Sequence, residues 1–342
     1  MAHLAFIFCC AVWGTSFILL ERVTHVMGPV EIAIWRLFSG AAVVGFCWWL
    51  KRDSSRLTRR DLMFIMFSAL VFTTPPQVIQ AYVLAQGYGH SFFGTMVAAI
   101  PLLTILVSVP MLGVRPTGRE LFGVLGGLVC IFVLVEEGVH RGMPPGLLAL
   151  TMIIPLSAAL SNTFIKWRLP HVPAAPLTTM ILVVAGLALM PVQLSPQLMA
   201  AWHIAAPSAA VVTPEAVVYL LLLGVIGSGV STMVFIWLVL KKGPLFAGMT
   251  TYVVPVLALL WGTFDHESIS AMQASSIAGV LAMVALVQTG ARTDEEVMEP
   301  AAAGDMVTSL PLSAEAEHLV TLPAAEIGLT DRRAAQPESQ VA

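Results

Sequence analysis

A few side chains in this sequence carry charged or hydrogen-bonding groups inside long apolar stretches, and these residues could do chemistry. Arg36 lies in the apolar run that begins near Pro29, and Gln77, Gln80 and Asn162 place amides in two other runs. An arginine at the centre of a membrane span costs about 2.5 to 3.5 kcal/mol on insertion scales, and a buried amide also needs a partner. These residues predict a site that binds a polar solute through hydrogen bonds.

Polar and aromatic residues in other apolar runs are further candidates for a solute pathway. Trp13, Thr15 and Ser16 form a polar-aromatic step in the first run, for which ordinary helix packing is the alternative explanation. An aromatic face can hold an apolar or cationic group, although interfacial belts and packing use aromatics too. The aromatic candidates are Tyr82, Trp237 and Tyr252.

Prolines inside apolar runs predict kinked helices and hinges. A proline removes a backbone donor and clashes with the preceding turn, so Pro75-Pro76 should kink the third run just before Gln77 and free carbonyls there. Kinks at corresponding places in a transporter mark the binding region. The predicted hinges are Pro76, Pro101, Pro155 and Pro255.

The motifs of enzymes and metal sites are missing from the sequence. There is no HExxH, no Ser/Lys dyad, no pair of carboxylates within a span and no phosphate-binding loop. The four cysteines lie in apolar segments without the spacing of a disulfide or a metal site. We therefore predict no catalytic residues, no metal, no cofactor and no nucleic-acid partner.

Composition places these residues in a lipid bilayer. The chain is 58% hydrophobic and 11% charged, with a mean hydropathy of +0.87. Residues 291–342 differ, because they hold ten acidic and three basic residues and no apolar periodicity. Such a segment buries too little surface to offset its ordering entropy, which predicts a disordered acidic tail.

Apolar runs of about 20 residues, the length that crosses the hydrocarbon core, occur ten times. Their approximate limits are 3–21, 29–50, 61–85, 91–113, 119–136, 145–166, 174–194, 215–240, 245–264 and 271–290. If ten helices alternate, fourteen of the seventeen Lys and Arg residues fall on one side, which predicts cytoplasmic N- and C-termini. Arg36 is then in the exterior half of its helix, and snorkelling to the headgroups is an alternative to facing a cavity.

One motif occurs twice, and its two copies enter the membrane from opposite sides. GHSFFGTMVAAIP at 89–101 and GPLFAGMTTYVVP at 243–255 share two glycines, a phenylalanine and a proline, 154 residues apart. AVWGTSF at 11–17 likewise aligns with AALSNTF at 158–164. A repeat of five helices must insert upside down on its second occurrence, as in many secondary transporters. The predicted fold is all-α, with ten membrane helices as two inverted five-helix repeats, residues 1–137 and 144–290.

Together these features resemble the EamA type of the drug/metabolite transporter superfamily. The resemblance rests on AVWGTSF, on Pro29 followed by Arg36 in IWRLF, on Pro101 and Pro255, and on the repeat ends LGVRPTGRELFG and DHESISAMQASSIAG. It covers residues 1 to about 290. It implies two inverted repeats around a central cavity that passes small metabolites, often amino acids and their derivatives.

We therefore predict a permease of the cell membrane that moves a small-molecule substrate, most simply by exporting amino acids or related compounds through alternating access. An enzyme and a receptor or scaffold that recruits partners through its acidic tail are the alternatives. Uptake, oligomeric state and energy source stay open. His90 and His266, expected in exterior loops, could titrate near neutral pH, so protons are a candidate coupling ion beside facilitated diffusion.

A chain cut at about residue 292 should transport its substrate as the full chain does, because the tail lies outside both repeats. The check is solute flux in proteoliposomes that contain equal amounts of each protein. Loss of flux in a truncated protein that inserts and purifies normally would contradict this.

Overall fold

The structure is a computed structural model, and it describes residues 1–51, 57–113, 118–140, 142–201, 213–248, 250–266 and 269–288. All regular secondary structure in these ranges is helical. The acidic tail lies outside the described residues.

Ten long helices follow one another along the described chain. They are α1 Ala2–Thr24, α2 Pro29–Lys51, α3 Arg59–Ala85, α4 His90–Leu112, α5 Gly118–His140, α6 Pro145–Arg168, α7 Ala174–Leu194, α8 Pro214–Pro244, α9 Phe246–Phe264 and α10 Ala271–Gln288. Among the described residues, eight of these are long and apolar enough to cross a membrane, all but α5 and α10. Each helix overlaps one of the ten predicted runs.

Three local features of the helices were not predicted. Two helices contain π-helical segments, Ser68–Thr73 in α3 and Leu222–Val230 in α8. A single 3₁₀ turn, Val97–Ala99, interrupts α4 directly before Pro101. A short helix, Pro196–Ala201, also occupies part of the loop expected between α7 and α8.

Both copies of the repeated motif begin with a glycine in the left-handed region of backbone conformation. Gly89, before α4, has φ 88°, and Gly243, at the kink that ends α8, has φ 89°. Only glycine adopts this conformation without strain from a Cβ. The second glycine of the first copy, Gly94, lies so close to α9 that an added Cβ would be 2.5 Å from the Cβ of Ala258. The first glycine therefore sets a turn, and Gly94 permits close packing.

The helices pack in a regular set of pairs. The most extensive contacts join α2 to α7, α5 to α10, α2 to the π-helical part of α8, α1 to α9, and α4 to α6. Further contacts join α4 to α9, α3 to α7, α1 to α8, and α3 to α6. Most of the buried apolar core follows these pairs, with one large cluster around α2, α7 and α8 and another around α1, α3 and α4.

Polar contacts tie helix ends together at both ends of the bundle. At the predicted exterior end, Arg22 pairs with Asp265 at 2.9 Å, and Glu21 Oε2 lies 2.6 Å from His90 Nδ1. At the predicted cytoplasmic end, His171 pairs with Asp61 at 3.0 Å. His90 is buried as the first residue of α4, so the expectation that it lies exposed in a loop is wrong. Its backbone N–H also donates to Glu21, which caps the helix.

Replacing Gly89 or Gly243 by alanine should lower the free energy of unfolding by about 1–2 kcal/mol, because a Cβ is disfavoured at these positive φ values. The measurement is the apparent melting temperature of the detergent-solubilised protein. Gly146→Ala is the matched control, since a Cβ there meets nothing within 4 Å. Equal melting temperatures for all three variants would refute the role assigned to the two glycines.

Candidate functional site

Arg36 lies inside the bundle and not at its lipid surface. The residue is 6% exposed, whereas its neighbour Trp35 is 56% exposed. Arg36 Nε donates to Ser228 Oγ on α8 at 3.2 Å, and one of its Nη atoms donates to Gln80 Oε1 on α3 at 3.2 Å. The guanidinium is therefore buried and joins α2, α3 and α8, and it does not snorkel to the headgroups.

The Arg36 contacts depend on an unusually close approach of α2 and α8. A Cβ added to Gly40, one turn after Arg36, would lie 2.8 Å from the carbonyl oxygen of Gly224 and 2.9 Å from the backbone nitrogen of Gly229. A Cβ on Gly229 would in turn lie 2.9 Å from the Cα of Gly40. Small residues of this kind allow helix backbones to touch in a membrane. The touching backbones bring Ser228 within reach of Arg36.

The π-helical segment of α8 provides a second polar contact beside the first. In this wider turn the backbone N–H of Ser231 donates to the carbonyl of Ile226, five residues back, whereas in a regular α-helix it would donate to the carbonyl of Gly227. The Gly227 carbonyl instead accepts from the Ser231 hydroxyl and from Trp13 Nε1 at 3.4 Å. Trp13 Nε1 also donates to Ser231 Oγ at 2.9 Å. We call Trp13, Arg36, Gln80, Ser228 and Ser231 the arginine cluster.

The π-helical segment of α3 lies directly before the paired prolines. The Thr74 N–H bonds Ala69, five residues back, and the hydroxyls of Thr73 and Thr74 bond Ser68 and Ala69. Pro75 and Pro76 have no N–H to donate to carbonyls of the preceding turn. Threonine hydroxyls bond two of the carbonyls in this turn instead, as an apolar environment requires. The regular α-helix that follows this turn carries Gln80, the member of the arginine cluster that α3 supplies.

Gln77 and Asn162 place amides inside the bundle. Gln77 Oε1 is buried and accepts no hydrogen bond among the described residues. Asn162 is also buried, with 7% of its surface exposed. Among the predicted site residues that are described, the amide oxygen of Gln77 is thus buried and unpaired.

The structure brings some predicted site residues together and separates others. Arg36 and Gln80 are hydrogen-bonded to each other. Trp13 bonds Gly227 and Ser231, and Arg36 bonds Ser228, so both reach the same stretch of α8, and Ser16 lies beside Gly227. Thr15 bonds the carbonyl of Ala11 in its own helix. The half-buried Tyr82 and Trp237 pack against two different apolar clusters. The side chain of Tyr252 lies outside the described part of the structure.

Two of the four predicted hinges adjoin an irregular turn. Pro76 follows the π-helical segment of α3, and Pro101 follows the 3₁₀ turn of α4. Pro155 and Pro255 lie within α6 and α9. Their action as hinges stays a prediction.

The serines of α8 were missed, although the sequence held two signals for them. Gly224 and Ser228, and Gly227 and Ser231, each form a small-xxx-small pair in an apolar run, which is the pattern of close helix contact. The offset of 154 residues that relates the motif copies also places Ser231 opposite Gln77. Extending the alignment to α8 would have found Ser231.

The cluster contains no set of groups for acid-base or metal chemistry. No group of three or more His, Cys, Asp or Glu side chains among the described residues could hold a metal ion. What the cluster offers is one fixed cation, neutral acceptors and an aromatic wall. This combination can bind a polar solute.

Comparisons with known proteins agree with a membrane transporter. Residues 1–136 match the model of the EamA-like transporter family, which belongs to the drug/metabolite transporter superfamily. The match confirms the predicted resemblance over these residues and indicates a multi-pass membrane transporter of small molecules, and so a permease in preference to an enzyme. No curated protein matches the sequence.

Solved structures share the fold. Of the 23 matching chains, one described only as "Crystal structure of protein" is 18% identical, with a TM-score of 0.61. The similarity covers 84% of this chain and 96% of that chain. The shared fold therefore extends well beyond residues 1–136.

Gly229→Ala should lower the free energy of unfolding by about 1–3 kcal/mol, because the new methyl group meets the Gly40 backbone, which cannot move aside without separating α2 from α8. The apparent melting temperature in detergent measures the change. Gly118→Ala is the control, since a Cβ at Gly118 meets nothing within 4 Å. An unchanged melting temperature for Gly229→Ala would mean that the two backbones are not in contact.

Proposed function

We propose that this protein is a secondary permease that exports amino acids or related small metabolites by alternating access between two inverted five-helix repeats, residues 1–137 and 144–290. The observation that carries the proposal is the buried Arg36, which bonds Gln80 of the first repeat and Ser228 of the second. A polar site between the halves of an otherwise apolar bundle is where transporters of this architecture bind their substrates.

The pairing of helices supports the repeat. Under an exchange of α1–α5 with α6–α10, the α1/α9 contact becomes α6/α4, and α2/α8 becomes α7/α3. The same exchange converts α1/α8 into α6/α3, and it returns α2/α7, α4/α9 and α5/α10 to themselves. All of these contacts are present, which is the pattern that a two-fold axis between the halves requires.

Local backbone geometry supports the same register. The π-helical segments begin at Ser68 and Leu222, and the glycines with matching positive φ are Gly89 and Gly243. Both pairs are 154 residues apart, the offset of the sequence motif. An irregular helix at corresponding places of two halves is typical of the binding region of a secondary transporter.

Contacts between the halves occur at both ends of the bundle, as alternating access requires. Arg22 of the first half meets Asp265 of the second at one end, and Asp61 of the first half meets His171 of the second at the other. Opening to one side in turn would break one contact and keep the other. Each pair also joins residues that the charge distribution assigns to the same side, which supports the proposed topology with both termini in the cytoplasm.

The proposal is tested by flux in liposomes that contain the purified protein. The liposomes are loaded with each of the twenty amino acids in turn. Transport is then assayed by counterflow, in which the unlabelled solute inside the liposomes drives uptake of the labelled solute from outside. Saturable counterflow of one or more of them is expected. A folded protein that moves none of them would overturn the assignment of amino acids as substrates.

Arg36→Ala should reduce this flux at least about ten-fold, because it removes the one charge of the arginine cluster and leaves Gln80 and Ser228 without their donor. The measurement is the initial counterflow rate at equal protein content. Arg59→Gln is the control, because it removes an exposed arginine at the end of α3. Equal rates in the Arg36 and Arg59 variants would place the pathway elsewhere.

A further inference from the structure

We infer that Arg36 is the binding site for the carboxylate of the transported solute, and that Gln77 accepts an N–H or O–H next to that carboxylate. The inference rests on the proposed function and names the class of substrate for the site: a monocarboxylate with an adjacent donor group, such as an α-amino acid. Four observations lead to it.

The first observation is that Arg36 has a permanent charge and no counter-ion. Its two hydrogen-bond partners in the described structure, Ser228 Oγ and Gln80 Oε1, are both neutral. The ion pairs formed by the described residues do not include Arg36. Arginine stays protonated in proteins. A charge that is 94% shielded from solvent, as the 6% exposure of Arg36 implies, is strongly stabilised by an anion.

The second observation is that three acidic residues at the predicted exterior end of the bundle are not directed at Arg36. Glu21 contacts His90, and Asp265 contacts Arg22. Glu31 precedes Arg36 by five residues on α2, which puts it about 140° around the helix axis from Arg36. None of these three side chains balances Arg36, and we assign that role to a bound anion.

The third observation is the orientation of the guanidinium. Arginine has five N–H donors, and Ser228 and Gln80 use two of them, one on Nε and one on an Nη atom. The remaining donors belong to the two Nη groups, and a planar pair of such donors matches the two oxygens of a carboxylate. The two existing hydrogen bonds fix the plane of the guanidinium. The remaining Nη donors are therefore oriented before an anion binds.

The arginine has no counterpart in the second half, which limits the ligand to one negative charge. The register that aligns AVWGTSF with AALSNTF also carries Pro29 to Pro176 and Arg36 to Val183. A single cation at this depth balances a monoanion, whereas a phosphate dianion would retain an unbalanced charge in the apolar bundle.

The fourth observation is the unpaired amide oxygen of Gln77. Its Oε1 is buried without a donor, and Gln77 lies three residues before Gln80, hence on the same face of α3, about 5–6 Å away between Cβ atoms. A buried acceptor without a donor costs free energy that a ligand N–H would recover. An ammonium or hydroxyl beside the carboxylate of a bound solute fits this requirement.

The test uses the full-length protein in liposomes and in detergent with four matched sets of probes. The amino acids are leucine, phenylalanine, threonine and glutamine, and each is compared with its carboxamide and its decarboxylated amine. Counterflow measures transport, and the shift in melting temperature measures binding. We expect at least one amino acid to bind and move, and its amide and amine to bind at least about ten-fold more weakly.

Variants of Arg36 and Gln77 separate the two contacts. Arg36→Gln should remove the preference for acid over amide, and Arg36→Lys should retain part of it, because lysine keeps the charge and loses the fork. Gln77→Leu should weaken binding of leucine and leave binding of 4-methylpentanoate, which lacks the ammonium, within about two-fold. Gln86→Leu, at an exposed position beyond α3, is the control.

Several outcomes would overturn the inference. An amide or amine that is transported as well as its amino acid, with Arg36→Gln as active as the wild type, would refute the carboxylate site while the permease function stands. Equal losses for leucine and 4-methylpentanoate in Gln77→Leu would refute the role of Gln77. Neither binding nor transport of any probe by folded protein would count against both the inference and the proposed substrates. If Arg36→Gln does not fold, the Arg36→Lys comparison decides.

Discussion

The buried charge of Arg36 imposes the constraint on which the centre of this structure depends. Without water, the guanidinium needs fixed dipoles around it, and the chain supplies them from α3 and α8. The serine of α8 reaches it only because Gly40, Gly224 and Gly229 let two backbones touch. The irregular turn of α8 starts within this contact, so local helix geometry, close packing and electrostatics all serve one charge.

The two proposed halves share local backbone features and differ in chemistry. Each proposed half has a π-helical segment and a turn glycine with positive φ, and both features begin at positions 154 residues apart. The side chains at corresponding places are not the same: Arg36 corresponds to Val183, and Gln77 corresponds to Ser231. In the proposed mechanism the similarity of the halves supplies two related conformations, and their chemical difference fixes the direction in which a substrate lies in the site.

Apolar length and turn residues were sufficient to predict the helices, because a membrane leaves a chain few other ways to satisfy its backbone. The limits of α2, α6 and α7 fall within about two residues of the predicted runs. The partners of Arg36 were only half predicted. Gln80 stands out as an amide in an apolar run, whereas Ser228 is small enough to pass for ordinary packing, and its proximity depends on which faces of α2 and α8 meet. A single sequence does not specify that pairing.

The same reasoning explains why π-helical turns and His90 escaped prediction. A π-helical turn replaces one set of backbone hydrogen bonds with another and leaves no mark on composition, although threonines that can bond freed carbonyls, as at Thr73 and Thr74, are a weak sign of it. His90 looked like a loop residue because glycines flank it on one side. Its partner Glu21 lies 69 residues earlier and caps α4 from another helix, which the local sequence does not reveal.

The position of Arg36 between the halves has a consequence for the transport cycle proposed here. One of its hydrogen bonds is to its own half and the other is to the opposite half, so a rocking motion that separates α2 from α8 would remove Ser228 and keep Gln80. Arg36 would then lose the Ser228 hydroxyl at the moment when the site opens to water, and a water molecule can take the place of that hydroxyl. In the closed intermediate no water is present, and only a bound anion could compensate the guanidinium fully. A carboxylate would therefore stabilise the closed intermediate more than either open state, and this difference is the property by which a substrate speeds the exchange between them.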